Sequence, residues 1–301
     1  MNVLLFGATG MVGDGVLHEC LADPRVTNLL AIVRSPLSIS HPKLRECRRT
    51  DFFSYTDLTA DLAAINACFF CLGVSSVGMS EADYYRMTFD LTLAAGRALA
   101  TVRRGATFCY VSGEGTDSSE RGRRMWARVK GKTENALLEL PLKAYMFRPG
   151  FIRPRPGTRS KTRWYTVMYA VLNPLYPVLR RMLPSHVTTS ENIGRAMIAV
   201  ADKGYKKRVL ENVDINAVAE AGTKSVADLA RCRRDATIVR PCRRAGTSFD
   251  GRDYRRQDAP FPPARRSVPR DRRALRVFTR AAQSRSPLAR LRGADDAAGC
   301  R

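Results

Sequence analysis

Residues 3–6 form an uninterrupted apolar run that breaks into a glycine turn. Val12, Val16, Leu17, Cys20 and Leu21 then recur at helical spacing until Asp23-Pro24 ends the pattern. The chain therefore opens as strand, turn and helix. Short apolar runs return at residues 29–33, weakly around 47–52, and at 67–72, 107–111 and 144–147, each of a length suited to a strand buried on both faces. Between them the spacing predicts helices over residues 84–100 and 123–138.

Strands that alternate with helices need crossover connections, which are right-handed and build a parallel sheet covered on both faces. The pattern thus predicts an α/β fold, a doubly wound parallel sheet of Rossmann type, over residues 1–150. Past Gly150 the sequence becomes rich in proline and aromatics. Thr188 and Glu191 then have capping-box spacing for a helix running to Gly204, followed by a strand over 208–211. Residues 151–216 are expected to form a small lobe over the carboxyl ends of the strands, where such sheets hold ligands, and so to shape a substrate pocket.

Composition changes this picture mainly at the end of the chain. The 301 residues are 45% apolar, as in ordinary globular proteins, yet carry a formal charge of +23. Residues 1–216 hold 30 Lys+Arg against 19 Asp+Glu, and residues 217–301 hold 21 against 9. The tail from 217 to 301 is rich in Arg, Ala and Pro, with little apolar periodicity. It is expected to be disordered, or to be the product of a frameshift in a GC-rich gene. Its arginines suit phosphate neutralisation, but they are not interleaved with aromatics in any recognisable binding motif, and a nucleic-acid partner is not expected.

The eight cysteines have no zinc-type spacing, and Cys20, Cys68, Cys71 and Cys109 fall in apolar surroundings, which suggests reduced thiols and a cytoplasmic location. Cys68 and Cys71 form a C-x-x-C in a strand-like run, away from the helix start that activates such pairs. The apolar run at the N-terminus is too short for a signal peptide. The stretch 164–183 is interrupted by Pro174, Pro177, Arg180 and Arg181, so no transmembrane segment is expected.

Candidate chemistry begins at Gly7-Ala8-Thr9-Gly10-Met11-Val12-Gly13. The first glycine permits a tight turn, the second lets backbone approach a pyrophosphate, and the third lets helix pack on strand. The amides at the helix start would face the phosphates. NAD-selective sites end the second strand with an acidic residue that bonds the ribose hydroxyls; here the strand runs into Arg34-Ser35. A cation there suits a 2′-phosphate, so NADP(H) is expected in preference to NAD(H), the competing reading being a solvated surface arginine.

Together with Asp51-Phe52, Cys71-Leu72-Gly73, Tyr110-Val-Ser112-Gly and Arg148-Pro149-Gly150, these motifs resemble the atypical short-chain dehydrogenase/reductases, in particular the epimerase/dehydratase-like group. The resemblance covers roughly residues 1–216. It implies that Asp51 and Phe52 lie near the adenine, that Leu72 and Gly73 border the cofactor ribose, and that Arg148-Pro149-Gly150 closes over the nicotinamide. It also implies a catalytic Ser after the fifth strand and a Tyr-x-x-x-Lys on the next helix. Ser112 and Lys130 match two of those places, but the tyrosine place is Trp126, whose indole N–H donates a hydrogen bond and does not exchange protons near neutral pH.

Two functions follow. One is an NADP-dependent oxidoreductase acting on a small carbonyl or alcohol, with Ser112 polarising the oxygen, Lys130 holding the ribose, and Tyr84, Tyr85 or Glu114 as possible proton sources. The other is a non-catalytic NADP(H)-sensing regulatory or scaffold protein that lost catalysis along with the tyrosine. No metal is implied by either reading.

Overall fold

The structure is a computed structural model that describes residues 1–156 and 185–223. Its main element is a seven-stranded sheet in the order β3-β2-β1-β4-β5-β6-β9, parallel throughout. The strands are β1 (Asn2–Phe6), β2 (Asn28–Val33), β3 (Leu44–Arg48), β4 (Ala67–Phe70), β5 (Thr107–Val111), β6 (Lys143–Arg148) and β9 (Val209–Glu211). A second, two-stranded parallel sheet pairs β7 (Phe151–Arg153) with β8 (Val187–Thr189).

The period of two along each strand divides the apolar runs between two cores. Val3, Leu5, Ala31, Val33, Phe69, Cys109 and Phe147 face one side, where they meet helix α1 (Met11–Ala22) and helix α6 (Ser190–Lys203). Leu4, Phe6, Leu30, Ile32, Cys68, Phe70, Phe108, Tyr110 and Met146 face the other, against α2 (Thr59–Ala63) and α4 (Leu91–Val102). Phe6, Phe70 and Phe108 form an aromatic row across β1, β4 and β5, with ring centroids 5.0 and 5.9 Å apart. Because both faces are covered there, β1, β2 and β4 read as nearly continuous apolar runs and not as alternating ones.

Helix α1 crosses α6 closely. A Cβ on Gly15 would lie 2.4 Å from the Ser190 side chain, and Glu19 clamps Arg195 through two hydrogen bonds of 3.0 and 3.1 Å. The helix that begins at α3 (Glu81–Tyr85) continues into α4 through a π-helical turn at Arg86–Asp90. Helix α5 (Met125–Leu138) links β5 to β6. No helix among the described residues is long and apolar enough to cross a membrane.

The predicted doubly wound sheet is present, with three local differences. The third strand lies at Leu44–Arg48, earlier than the expected 47–52, because Phe52 is a core plug supplied by a loop. Its carbonyl accepts the Tyr55 hydroxyl at 2.8 Å. The cap of α6 is Thr189, whose Oγ1 accepts the Asn192 amide at 3.1 Å, while Thr188 belongs to β8 and donates to Asn216 Oδ1 at 2.7 Å. A helix, α7, spans residues 212–223 and continues past the boundary expected at Asn216, with Ile215 and Ala219 buried in the first core. The expected tail from 224 onward and the stretch 164–183 lie outside the described residues.

Candidate functional site

The order of the strands sets the place of the site. From β1 the chain winds outward through β2 to β3, then returns to the other flank of β1 at β4. The carboxyl ends of β1 and β4 therefore form the crevice at which doubly wound sheets take ligands.

Gly7 leaves β1 with φ +81°, in the left-handed region, and a Cβ there would stand 2.7 Å from the Cys71 carbonyl oxygen at the exit of β4. The Gly10 amide donates to the Gly7 carbonyl at 2.8 Å, and a Cβ on Gly13 would reach within 2.0 Å of that same oxygen. The turn thus folds its own backbone onto the first turn of α1, and only glycine fits at the contact. Gly10 is the N-cap and offers no side-chain acceptor to the amides that follow. The positive end of α1, with Thr9 and Gly10 exposed and Met11 and Val12 half-buried, is where an anion is stabilised.

Arg34 and Ser35 stand exposed just beyond the end of β2. Asp51 is exposed and its carboxylate accepts the Phe53 amide at 2.8 Å, whereas Phe52 is buried in the second core. Leu72 packs half-buried against that core, and Gly73 is open, so that a Cβ there would touch nothing.

The second cluster lies where β5 ends. Ser112 is 1% exposed; its amide donates to the Phe147 carbonyl at 2.9 Å and its Oγ to the same oxygen at 3.1 Å. From α5, Lys130 Nζ donates to the Ser112 carbonyl and stands 6.0 Å from the Trp126 ring centroid. The Trp126 ring edge lies 3.5 Å from where a Gly115 Cβ would be. Burial brings the Lys130 ammonium down to about 8, with the Glu134 carboxylate pulling the other way. Ser112, Trp126 and Lys130 are therefore brought together.

Arg148 is committed elsewhere. Its guanidinium pairs with both oxygens of Glu134, donates to Ser118 Oγ at 2.5 Å and reaches Glu211 at 3.3 Å. The Glu134 side chain is only 1% exposed. What Arg148-Pro149-Gly150 presents to the β5 loop is backbone. The Pro149 carbonyl accepts the Glu114 amide at 2.9 Å, and the Gly150 amide donates to Asn212 Oδ1 at 3.0 Å.

The three proton sources considered from sequence separate clearly. Tyr84 is 2% exposed, its phenol is hydrogen-bonded to Thr88, and burial raises it. Tyr85 stacks on Phe89 with centroids 4.6 Å apart, and Lys132 lies over both rings. Glu114 lies on the β5 loop and its Oε1 contacts His186 Nδ1 at 2.5 Å. Sequence reasoning missed His186, Glu134 and Asn212. His186 stands 72 residues from its partner, and no spacing signal connects them.

The five cysteines among the described residues are free, and burial raises Cys20, Cys68, Cys71 and Cys109 well above ordinary thiols. Among the described residues no group of acidic, His and Cys side chains is arranged to hold a metal ion.

Comparison with solved structures shows the same fold in nucleotide-sugar enzymes. DesIV, a dTDP-glucose 4,6-dehydratase from Streptomyces venezuelae with NAD and DAU bound, superposes with a TM-score of 0.53 at 13% identity, over 75% of this chain and 81% of that one. MoeE5 in complex with UDP-glucose and NAD gives 0.51 at 18% identity, over 77% and 82%. UDP-glucose 4-epimerase from Thermotoga maritima gives 0.51 at 13%, over 75% and 83%. No family model matches the chain.

Among curated proteins the chain is similar to fmp52, mitochondrial, of Emericella nidulans, with 28% identity over 54% of this chain and 70% of that protein. It is similar also to FMP52, mitochondrial, of Eremothecium gossypii, with 23% identity over 71% and 96%, and to leucinostatins biosynthesis cluster protein T of Purpureocillium lilacinum, with 24% identity over 65% and 83%. The mitochondrial names overturn the cytoplasmic location expected from the cysteines. A buried reduced thiol reports the chemistry around it and does not distinguish one reducing compartment from another.

Proposed function

We propose that this chain binds a nicotinamide dinucleotide, NADP(H) in preference to NAD(H), and acts as an oxidoreductase on a small carbonyl or alcohol. The observation that carries the reading is the turn at Gly7, Gly10 and Gly13, which leaves the uncapped start of α1 at the crevice between β1 and β4. The solved structures of the same fold that hold NAD support it.

The pyrophosphate lies against the backbone of residues 9–13, where amides and the helix dipole favour negative charge. Arg34 binds the 2′-phosphate beside Ser35. Asp51 and Phe52 border the adenine, Leu72 and Gly73 the ribose, and the backbone of Pro149 and Gly150 the nicotinamide end, with Arg148 fixing that backbone through Glu134. The bound cofactor supplies two-electron transfer to or from the substrate carbon. Lys130, in its charged form, holds the nicotinamide ribose, and Ser112 hydrogen-bonds the substrate oxygen after its hydroxyl turns from the Phe147 carbonyl. The small parallel sheet of β7 and β8 borders the substrate side of the site.

A second reading, a non-catalytic NADP(H)-responsive regulatory protein, draws on two observations. Trp126 stands where the resemblance implies the acid/base tyrosine, and the Ser112 hydroxyl already donates to the Phe147 carbonyl inside the core.

The test is NADPH oxidation by the full chain, followed by loss of absorbance with a panel of aldehydes, ketones and quinones. Consumption of NADPH that depends on the carbonyl and is abolished in Ser112→Ala excludes the regulatory reading. Bound NADPH that no carbonyl consumes excludes the enzyme.

A further inference from the structure

The loop after β5 places a second polar pair beside the Ser112 cluster. Glu114 is two residues from Ser112, across Gly113, whose φ of +117° turns the chain so that the Glu114 amide meets the Pro149 carbonyl at 2.9 Å. A Cβ on Gly113 would lie 3.7 Å from Lys130 Nζ and 4.0 Å from that carbonyl, so the loop is held between Lys130 and Pro149. His186, just ahead of β8, accepts the Phe151 amide on its backbone carbonyl at 2.7 Å. A Cβ on Gly150 would run into both partners, 2.3 Å from the His186 carbonyl and 2.5 Å from Glu114 Oε2. The absence of a side chain at Gly150 is what allows Glu114 and His186 to meet.

The geometry of the pair is that of an oriented imidazole. Glu114 Oε1 lies 2.5 Å from His186 Nδ1, which fixes the proton of the neutral ring on Nδ1 and leaves Nε2 to exchange one. Both side chains are about half exposed, 43% for Glu114 and 55% for His186, so the ring can be recharged from solvent. Tyr84 and Tyr85 are held in packing, and Trp126 has no exchangeable proton near neutral pH.

Resting on the oxidoreductase reading, we propose that His186, oriented by Glu114, is the proton-exchanging residue of this site, in place of a tyrosine. In the direction of carbonyl reduction, the substrate carbon gains one hydrogen and two electrons from the reduced nicotinamide. The C=O π pair becomes an O–H bond by taking a proton from Nε2 of protonated His186. The products are the alcohol, the oxidised nicotinamide and neutral His186, which regains its proton from water. In the reverse direction neutral Nε2 removes the hydroxyl proton. Glu114 orients the ring through Nδ1 and is a positioning residue.

The experiment compares the full-length wild type with His186→Asn, His186→Gly and Glu114→Gln. NADPH binding is followed by cofactor fluorescence and carbonyl-dependent turnover by absorbance. Nitrogen-15 NMR of the imidazole reports where its proton sits. NADPH affinity is expected to stay within about twofold, turnover to fall by about 10²–10⁴-fold in His186→Asn, and added imidazole to restore part of it in His186→Gly. In the wild type the neutral His186 ring should carry its proton on Nδ1, and Glu114→Gln should weaken that tautomer preference and slow turnover without changing NADPH affinity. Wild-type turnover that survives in His186→Asn overturns the proposal and leaves the oxidoreductase standing. Bound NADPH that no carbonyl oxidises in the wild type overturns both, and a folded wild type that binds no NADPH overturns the cofactor reading on which they rest.

Discussion

Two strand-to-helix connections reach the same edge of the sheet, and they are built on different principles. The turn from β1 to α1 is a backbone device: Gly7 and Gly13 are needed because a Cβ at either would strike backbone atoms, and a Cβ on Gly10 would have only 3.2 Å to the Gly7 carbonyl. The connection from β5 to α5 is a side-chain device, in which Ser112, Glu114, Trp126 and Lys130 are arranged by a Gly113 turn, by Pro149 and by a distant histidine. A backbone device allows few sequences and so is legible in one. A side-chain device tolerates exchange of its reactive group while the scaffold persists, and here a tryptophan stands where the resemblance implies a tyrosine.

The contrast can be broken most severely at Gly13. Gly13→Val puts a branched side chain where even a Cβ would lie 2.0 Å from the Gly7 carbonyl, so the turn must open. Loss of measurable NADPH binding and a stability loss at or above the ~1–3 kcal/mol of ordinary overpacking are expected, by calorimetric titration and denaturant unfolding. Next comes Arg148→Met, which strands the buried Glu134 carboxylate. Removing one partner of a buried pair costs about 3–5 kcal/mol, read from the shift in denaturant midpoint at constant slope. An Arg148→Met, Glu134→Leu double variant should recover most of that loss, and failure to do so would mean that Arg148 acts mainly through Ser118 or Glu211.

A smaller effect is expected at Lys130. Its ammonium, brought down to about 8 by burial, is charged below that pH and neutral above it. Since an anionic cofactor favours the charged form, NADPH affinity should fall as pH rises through about 8. Lys130→Met should bind about 10- to 100-fold more weakly below pH 8, the loss of one charged hydrogen bond of ~1.5–3 kcal/mol, and show no such pH step. The smallest effect is at the end of β2, where Arg34→Ala should weaken NADPH by about tenfold and leave NADH unchanged, the exposed arginine giving up one phosphate contact. Equal weakening of both cofactors would assign Arg34 to a part of the dinucleotide that they share.

The same distinction explains how much was legible in the sequence. The run of β5 at Thr107–Val111 matches its prediction residue for residue, because a strand buried on both faces is apolar at nearly every position, here all but Thr107. The edge strand β3 is half-buried and its hydrophobic signal is diluted, so the nearby Phe52 drew the prediction toward a loop. The cap of α6 was displaced by one residue because Thr188 and Thr189 have the same chemistry, and only Asn216, recruited in the folded chain, separates them. The glycine turn is readable from local spacing, whereas Ser112 and Lys130 are picked out only by the resemblance to the short-chain dehydrogenase/reductases. The Glu114–His186 and Arg148–Glu134 pairs were not, because each joins segments that only the parallel sheet and β7–β8 bring together.

The measurement that bears most directly on the central claim is calorimetric titration of the folded full chain with NADPH, NADP⁺ and NADH in turn. The account predicts saturable binding at one site, with NADPH about tenfold or more tighter than NADH, and loss of that binding in Gly13→Val. A folded chain that binds none of the three would contradict it and would make the glycine turn a device of packing alone.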